Sequence, residues 1–301
     1  MMGKHALSIL AAALLAAAFV SCSEDDPAAP DPGDGDTTPT TPFDTLLIVD
    51  HTCCDIGAIP ESAIEAAKDS LHIAYGHTSH GSQLTTGMTG LVSFLGDLYA
   101  YNTGGAGGAL DLRDTPFSGA YDLGNPDGSA WAAATRDYLD AHAEVNVVIW
   151  SWCGQVSSAS EAYIDNYLSL MDALETDYPD VVFVYMTGHL DGSGEGGNLH
   201  LRNEQIRAWC RDNDRVLYDF ADIESYDPDG VRYLHLGAND NCDYDSDANG
   251  TRDRNWAIDW QNAHPGEWYT CISAHSQPLN ANLKAYAAWH LWARLAGWDG
   301  K

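Results

Sequence analysis

Positive charge is what this chain has least of. Its 301 residues carry 14 lysines and arginines against 44 aspartates and glutamates, a formal charge of −30. A surface this negative repels phosphate backbones, which argues against a nucleic-acid partner. Most of the few cations are arginines, so lysine offers little to an anionic membrane surface. No apolar run reaches the roughly 20 residues a helix needs to span a bilayer. No Cys-x-x-Cys pair occurs, which argues against a zinc knuckle or a thioredoxin-type redox site, and no His-Glu-x-x-His is present. What the chain does have is 45% hydrophobic residues, enough for one large domain or two small ones.

The N-terminus reads as an address. Lys4 precedes an apolar run from Ala6 to Val20, which suits a secretory signal over residues 1–21. Phe19-Val20-Ser21-Cys22 resembles a bacterial lipobox, so Cys22 is expected to become the lipidated first residue. Residues 22–43 are rich in Pro, Asp and Thr with almost nothing to bury, and read as a disordered tether. Their acidic start, Ser23-Glu24-Asp25-Asp26, resembles the surface-export signal of some outer-membrane lipoproteins. The expectation is a domain over 44–301, held at the outer membrane or cell surface by a lipid on Cys22. The remaining cysteines, 53, 54, 153, 210, 242 and 271, are even in number, and in an exported chain that predicts disulfides of unspecified pairing.

From Thr45 onward, strand-like and helix-like segments alternate. Leu46–Val49, His72–Tyr75, Val145–Trp150, Val181–Met186 and Val216–Phe220 read as short buried strands. Helices are expected over Pro60–Lys68, from about Ser160 to Pro179, over Asn203–Arg211 and over Asn280–Leu295. Residues 98–128, rich in Gly, Asp and Asn, read as a long loop. The alternation predicts a single three-layer α/β/α domain around a mainly parallel, flavodoxin-like sheet.

In such sheets chemistry gathers beyond the C-terminal strand ends. Those positions hold Gly76-His77-Thr78-Ser79-His80-Gly81, Ser151-Trp152-Cys153-Gly154-Gln155 and Thr187-Gly188-His189-Leu190-Asp191, with Ser273-Ala274-His275 before the last helix. Their order, and the His275-Ser-Gln-Pro-Leu-Asn280 run into that helix, resemble an SGNH (GDSL-like) hydrolase over roughly Leu71 to Leu295. The resemblance implies a serine esterase with no required cofactor. Ser79, or Thr78 in the stricter register, would be the nucleophile and His275 its base. Gln155 would stand in for the family's oxyanion-hole Asn, and His77, His80, Gly154 and His189 would line the substrate site. Two of the family's features are missing: Gly-His-Thr-Ser replaces Gly-Asp-Ser, and Ile272 sits where the family has an acid three residues before the histidine.

Three other readings stand beside it. His77, His80 and His189 could serve a metal-dependent hydrolase, since zinc hydrolases use three such ligands and an open position. Asp243, Asp245, Asp247, Asn249 and Asp253 resemble the start of an EF-hand loop with Gly250 at its sixth place, but Trp256 replaces the closing Glu. This segment is either a structural Ca²⁺ loop or a solvated acidic one. Among the 10 tryptophans, Trp289, Trp292 and Trp298 suit core packing, while Trp150, Trp152, Trp256, Trp260 and Trp268 could stack on sugar rings. The expected substrate is a small-molecule or polysaccharide ester. A non-catalytic glycan-binding lipoprotein on the same fold is the alternative.

Overall fold

A computed structural model describes residues 45–301, so the expected signal, lipidation site at Cys22 and tether lie outside the described residues. Seven strands form one parallel sheet: β1 (Leu47–Val49), β2 (His72–Gly76), β3 (Tyr101–Asn102), β4 (Leu110–Asp114), β5 (Val147–Trp150), β6 (Val182–Met186) and β7 (Val216–Tyr218). Their spatial order is β1-β7-β6-β5-β2-β4-β3. The inner five, β4-β2-β5-β6-β7, follow the doubly wound 2-1-3-4-5 order.

Successive side chains on a strand point to opposite faces, and the two cores divide accordingly. Ile73, Tyr75, Val147, Ile149, Val184 and Met186 face one layer with α1 (Glu61–Ser70), α2 (Ser82–Leu95) and the long α8 (Pro278–Leu295). Ala74, Val148, Trp150, Phe183, Tyr185 and Leu217 face the other, with α3 (Ala130–Ala141), α4 (Glu161–Asp177) and α5 (Asn198–Asp212). Both strand faces are therefore buried, which is why β5 and β6 read as continuous apolar runs. This is the three-layer domain the alternation predicts.

Residues 98–128 are not simply a loop, because they contain β3 and β4. The β4 sequence Leu-Asp-Leu-Arg-Asp hides its strand character in charge. Leu110 and Leu112 enter the core, while Asp111 and Arg113 are buried as an ion pair 3.0 Å apart. Arg113 also reaches Glu144, and Asp111 the His72 ring, so both charges are satisfied.

The expected disulfides are not found: all six described cysteines are free thiols. Their sulfurs have separate neighbours, Cys53 the Ile48 carbonyl, Cys242 the Ser276 hydroxyl and Cys271 the Pro278 carbonyl. Trp289 and Trp292 are core residues as expected. Trp150, Trp152 and Trp256 are buried too, which removes them as sugar platforms.

Where α2 crosses α8, Gly87 lies against the Ala281 backbone, and a Cβ there would fall on the Ala281 carbonyl. A backbone cannot swing aside as a side chain can. Gly87→Ala should destabilise the domain by about 1–3 kcal/mol, read as a lower urea midpoint with an unchanged slope.

Candidate active site

The sheet changes direction between β2 and β5. From β2 the chain crosses to β4 on one side, and from β5 to β6 on the other. Ligand sites in open α/β sheets lie beyond the strand ends at such a switch point. Here the turns after β2 and β5 pack tightly. Gly81 sits so close to Ser151 Oγ and the His77 Cβ that it has no room for a Cβ of its own, and Tyr75 Oη donates to its carbonyl at 2.8 Å.

That packing brings together a cysteine, a histidine and an aspartate. Cys153, half-buried after β5, lies with Sγ 3.6 Å from His80 Nδ1. The other ring nitrogen, His80 Nε2, is 3.0 Å from Asp240 Oδ2. Asp240 comes from the loop before the short hairpin of β8 (Asp243–Tyr244) and β9 (Arg254–Asn255). The hydrogen bond from His80 is the largest cause holding the Cys153 thiol down to about 7, against the effect of its own burial. Burial alone would lower His80, but its bonds to Asp240 and Cys153 and the charge of Glu224 carry it up to about 9. Asp240 is pushed up by burial, yet the His80 bond and the two histidines' charges leave it lowered overall. All three shifts favour thiolate, imidazolium and carboxylate in a row.

Two further imidazoles stack on the His80 ring: His189 at 3.6 Å and 4°, and His275 at 4.5 Å and 19°. Burial lowers the His189 pKa, and the His80 charge adds to that, although Glu224 opposes it. The ligand atoms of His80, His189 and Asp240 lie within 4.8 Å of one another, close enough for one metal ion.

Most of the residues singled out from sequence lie in the same turns, each with its own contacts. Ser79 Oγ lies 3.8 Å from Cys153 Sγ, and among the described residues no hydrogen bond joins it to His275. His275 is exposed, with φ +62, and meets the site by stacking on His80. Thr78 Oγ1 donates to Asp122 at 2.6 Å, so its hydroxyl is committed elsewhere. Gln155 is not a free oxyanion donor: its Nε2 donates to Asp122 at 3.0 Å, and its Oε1 accepts from Cys153 N at 2.9 Å. Gly154 is exposed beside His189, and its N–H has no intramolecular partner among the described residues. His77 pairs with Asp114 at 2.5 Å, and so stands outside the His80–His189–Asp240 group.

Sequence reasoning counts Cys153 toward the disulfides and does not single out Asp240. The signal for Cys153 is its position, three residues past a continuous apolar strand and next to glycine.

The acidic loop closes on itself. Asp245 accepts from the Asn249 and Gly250 N–H groups and Asp253 from Ser246, while Asp243 accepts from Asn241 and Asn255. The His/Asp groups close enough to share an ion lie elsewhere. No protein-family model matches the chain, and no curated protein matches it.

Beneath the site lies a fully buried ion pair. Lys284 Nζ on α8 is 2.5 Å from Glu224 Oε1, with neither side chain exposed. Lys284 also donates to Gln83 Oε1 on α2, and Gln83 Nε2 donates to the Ala274 carbonyl at 2.5 Å. Glu224 Oε2 accepts the Leu190 N–H at 2.8 Å. The network thus holds the backbone next to His189 and the backbone next to His275. Lys284→Met should cost about 3–5 kcal/mol, because it strands a buried carboxylate. Adding Glu224→Gln should recover part of that loss, measured by equilibrium urea unfolding of both variants.

Proposed function

We propose that this chain is a hydrolase of acyl bonds, with Cys153 as nucleophile, His80 as acid and base, and Asp240 as the group that orients His80. The Cys153–His80–Asp240 line carries this reading, with its 3.6 Å and 3.0 Å contacts at the sheet's switch point. It keeps the ester-hydrolase class suggested by the SGNH resemblance but moves the nucleophile from the turn after β2 to the turn after β5. The substrate class remains a small-molecule or polysaccharide ester. Placement outside the cytoplasm on a lipidated Cys22 rests on the apolar run and the cysteine that ends it.

The reaction balances on these residues. The Cys153 thiolate attacks the carbonyl carbon, and the carbon–oxygen double bond opens to an oxyanion. The exposed Gly154 N–H is placed to donate to it. When the oxyanion collapses, the bond to the leaving alkoxide breaks and His80 gives that oxygen its Nδ1 proton. A water, deprotonated by His80, then attacks the thioester, releases the acid and restores the thiolate–imidazolium pair. Asp240 keeps Nδ1 aimed at sulfur throughout.

The active form needs Cys153 ionised and His80 protonated. Activity should rise as pH climbs through about 7, where the thiol ionises, and fall as it passes about 9, where the imidazolium is lost. Iodoacetamide labelling of Cys153 should show the same rising limb without needing a substrate. With p-nitrophenyl acetate, Cys153→Ala should lower kcat by more than about a thousandfold, and Ser79→Ala should leave most of it. Loss in Ser79→Ala and His275→Ala with Cys153→Ala active would restore the serine mechanism.

One observation favours a second reading. A divalent metal on His80, His189 and Asp240 would make the site a metal-dependent hydrolase. The two exclude one another, because the ion would take a ring nitrogen of His80 that the thiol mechanism keeps protonated. Activity that chelation abolishes and Zn²⁺ restores, with Cys153→Ala unimpaired, would establish the metal reading.

A further inference from the structure

A second group of potential ligands sits at the far edge of the same sheet end, independent of the Cys153 site. The chain leaving β1 runs through Asp50 and His51, and the chain leaving its neighbour β7 enters a short helical turn (Phe220–Ile223) carrying Asp222. Ligand atoms of Asp50, His51 and Asp222 lie within 4.8 Å of one another. The His51 ring is held flat against Tyr226, with centroids 3.5 Å apart and planes 5° from parallel. Asp222 Oδ2 receives both the His51 N–H, at 3.1 Å, and the His51 Nδ1, at 2.5 Å. Asp50 uses Oδ1 for the Thr52 N–H and hydroxyl. Among the described residues the second oxygen of each carboxylate makes no hydrogen bond to the protein.

A cleft of about 380 Å³ opens beside His51, which lines it together with Tyr226, Asp55, Asp227 and Asp229 among others; Asp50 and Asp222 do not line it. No lysine or arginine lines it. Two carboxylates, an oriented imidazole and an acidic cleft without a cation form a donor set suited to a divalent transition metal.

We propose that Asp50, His51 and Asp222 bind a zinc-type divalent cation, with the positions facing the cleft left open to water. Binding displaces the proton that His51 shares with Asp222 and draws the two ligand atoms apart from their 2.5 Å contact, while Tyr226 stays stacked on the ring. The Thr52 donors occupy Asp50 Oδ1, and the second oxygen of that carboxylate has no protein partner among the described residues.

The test is calorimetric titration of ZnCl₂ into the chelator-stripped full chain, with folding followed by circular dichroism. His189→Ala disables the other His/Asp group and should leave one equivalent bound. His51→Ala and the nearly isosteric Asp222→Asn should each weaken that binding at least about tenfold, since even the loss of an outer-shell partner costs this much. Should His51→Ala fail to fold, Asp222→Asn carries the test. Wild-type affinity in a folded Asp222→Asn, or loss of all zinc binding in His189→Ala, would overturn the proposal, as would the absence of any binding in the wild type. None of these outcomes depends on whether Cys153 is a nucleophile.

Discussion

The candidate active site depends on one interaction that never touches it, the buried pair of Lys284 and Glu224. A charge pair taken wholly from water is tolerated only when its remaining donors and acceptors are satisfied. Here the partners that satisfy it are spread along the chain. Gln83 begins α2, Leu190 follows β6, and Asn280 lies one turn before Lys284 on α8, donating to Glu224 at 3.2 Å. Gln83 passes the constraint on to Ala274. The segments so tied are the ones that carry His80, His189 and His275. The three stacked imidazoles sit on a frame whose geometry is set by the need to leave no buried charge unpaired.

The setting also explains why the thiol needs such close support. A protein with a formal charge of −30 resists forming another anion. The Cys153 thiol is pushed down chiefly because an imidazole, itself raised by its bond to Asp240, lies within hydrogen-bonding reach. The other thiols show the contrast. Burial drives Cys54 and Cys210 upward, and among the described residues no histidine hydrogen-bonds either sulfur to reverse the effect. Location relative to one ring separates the thiol held below its ordinary pKa from those pushed above it.

Much of the fold was legible because burial on both sheet faces writes itself plainly. Val147–Trp150 and Val182–Met186 can be little else than central strands, and α8 announces itself by Pro278 at its start and apolar spacing after it. The strand β4 was not legible, since its charges are paired across to residues 72 and 144, far away in sequence. The region of the site was legible as well, because polar residues just past strand ends have a fixed place in a parallel sheet. The roles within it were not. Ser79 and Cys153 are separated by a turn-to-turn contact, and which of them faces an imidazole depends on how closely Gly81 lets the two turns approach.

Periodicity and composition, being properties of neighbours along the chain, determined the layered parallel architecture, the excess of negative charge and the strand ends where chemistry would collect. Partner choice is a matter of a few ångströms between residues far apart in sequence. Only the tertiary structure could decide that His80 rather than His275 meets Cys153, that Asp240 bonds its other ring nitrogen, and that the six described cysteines are thiols. Hydrogen bonds and ion pairs fall away within such distances, and no local pattern records them.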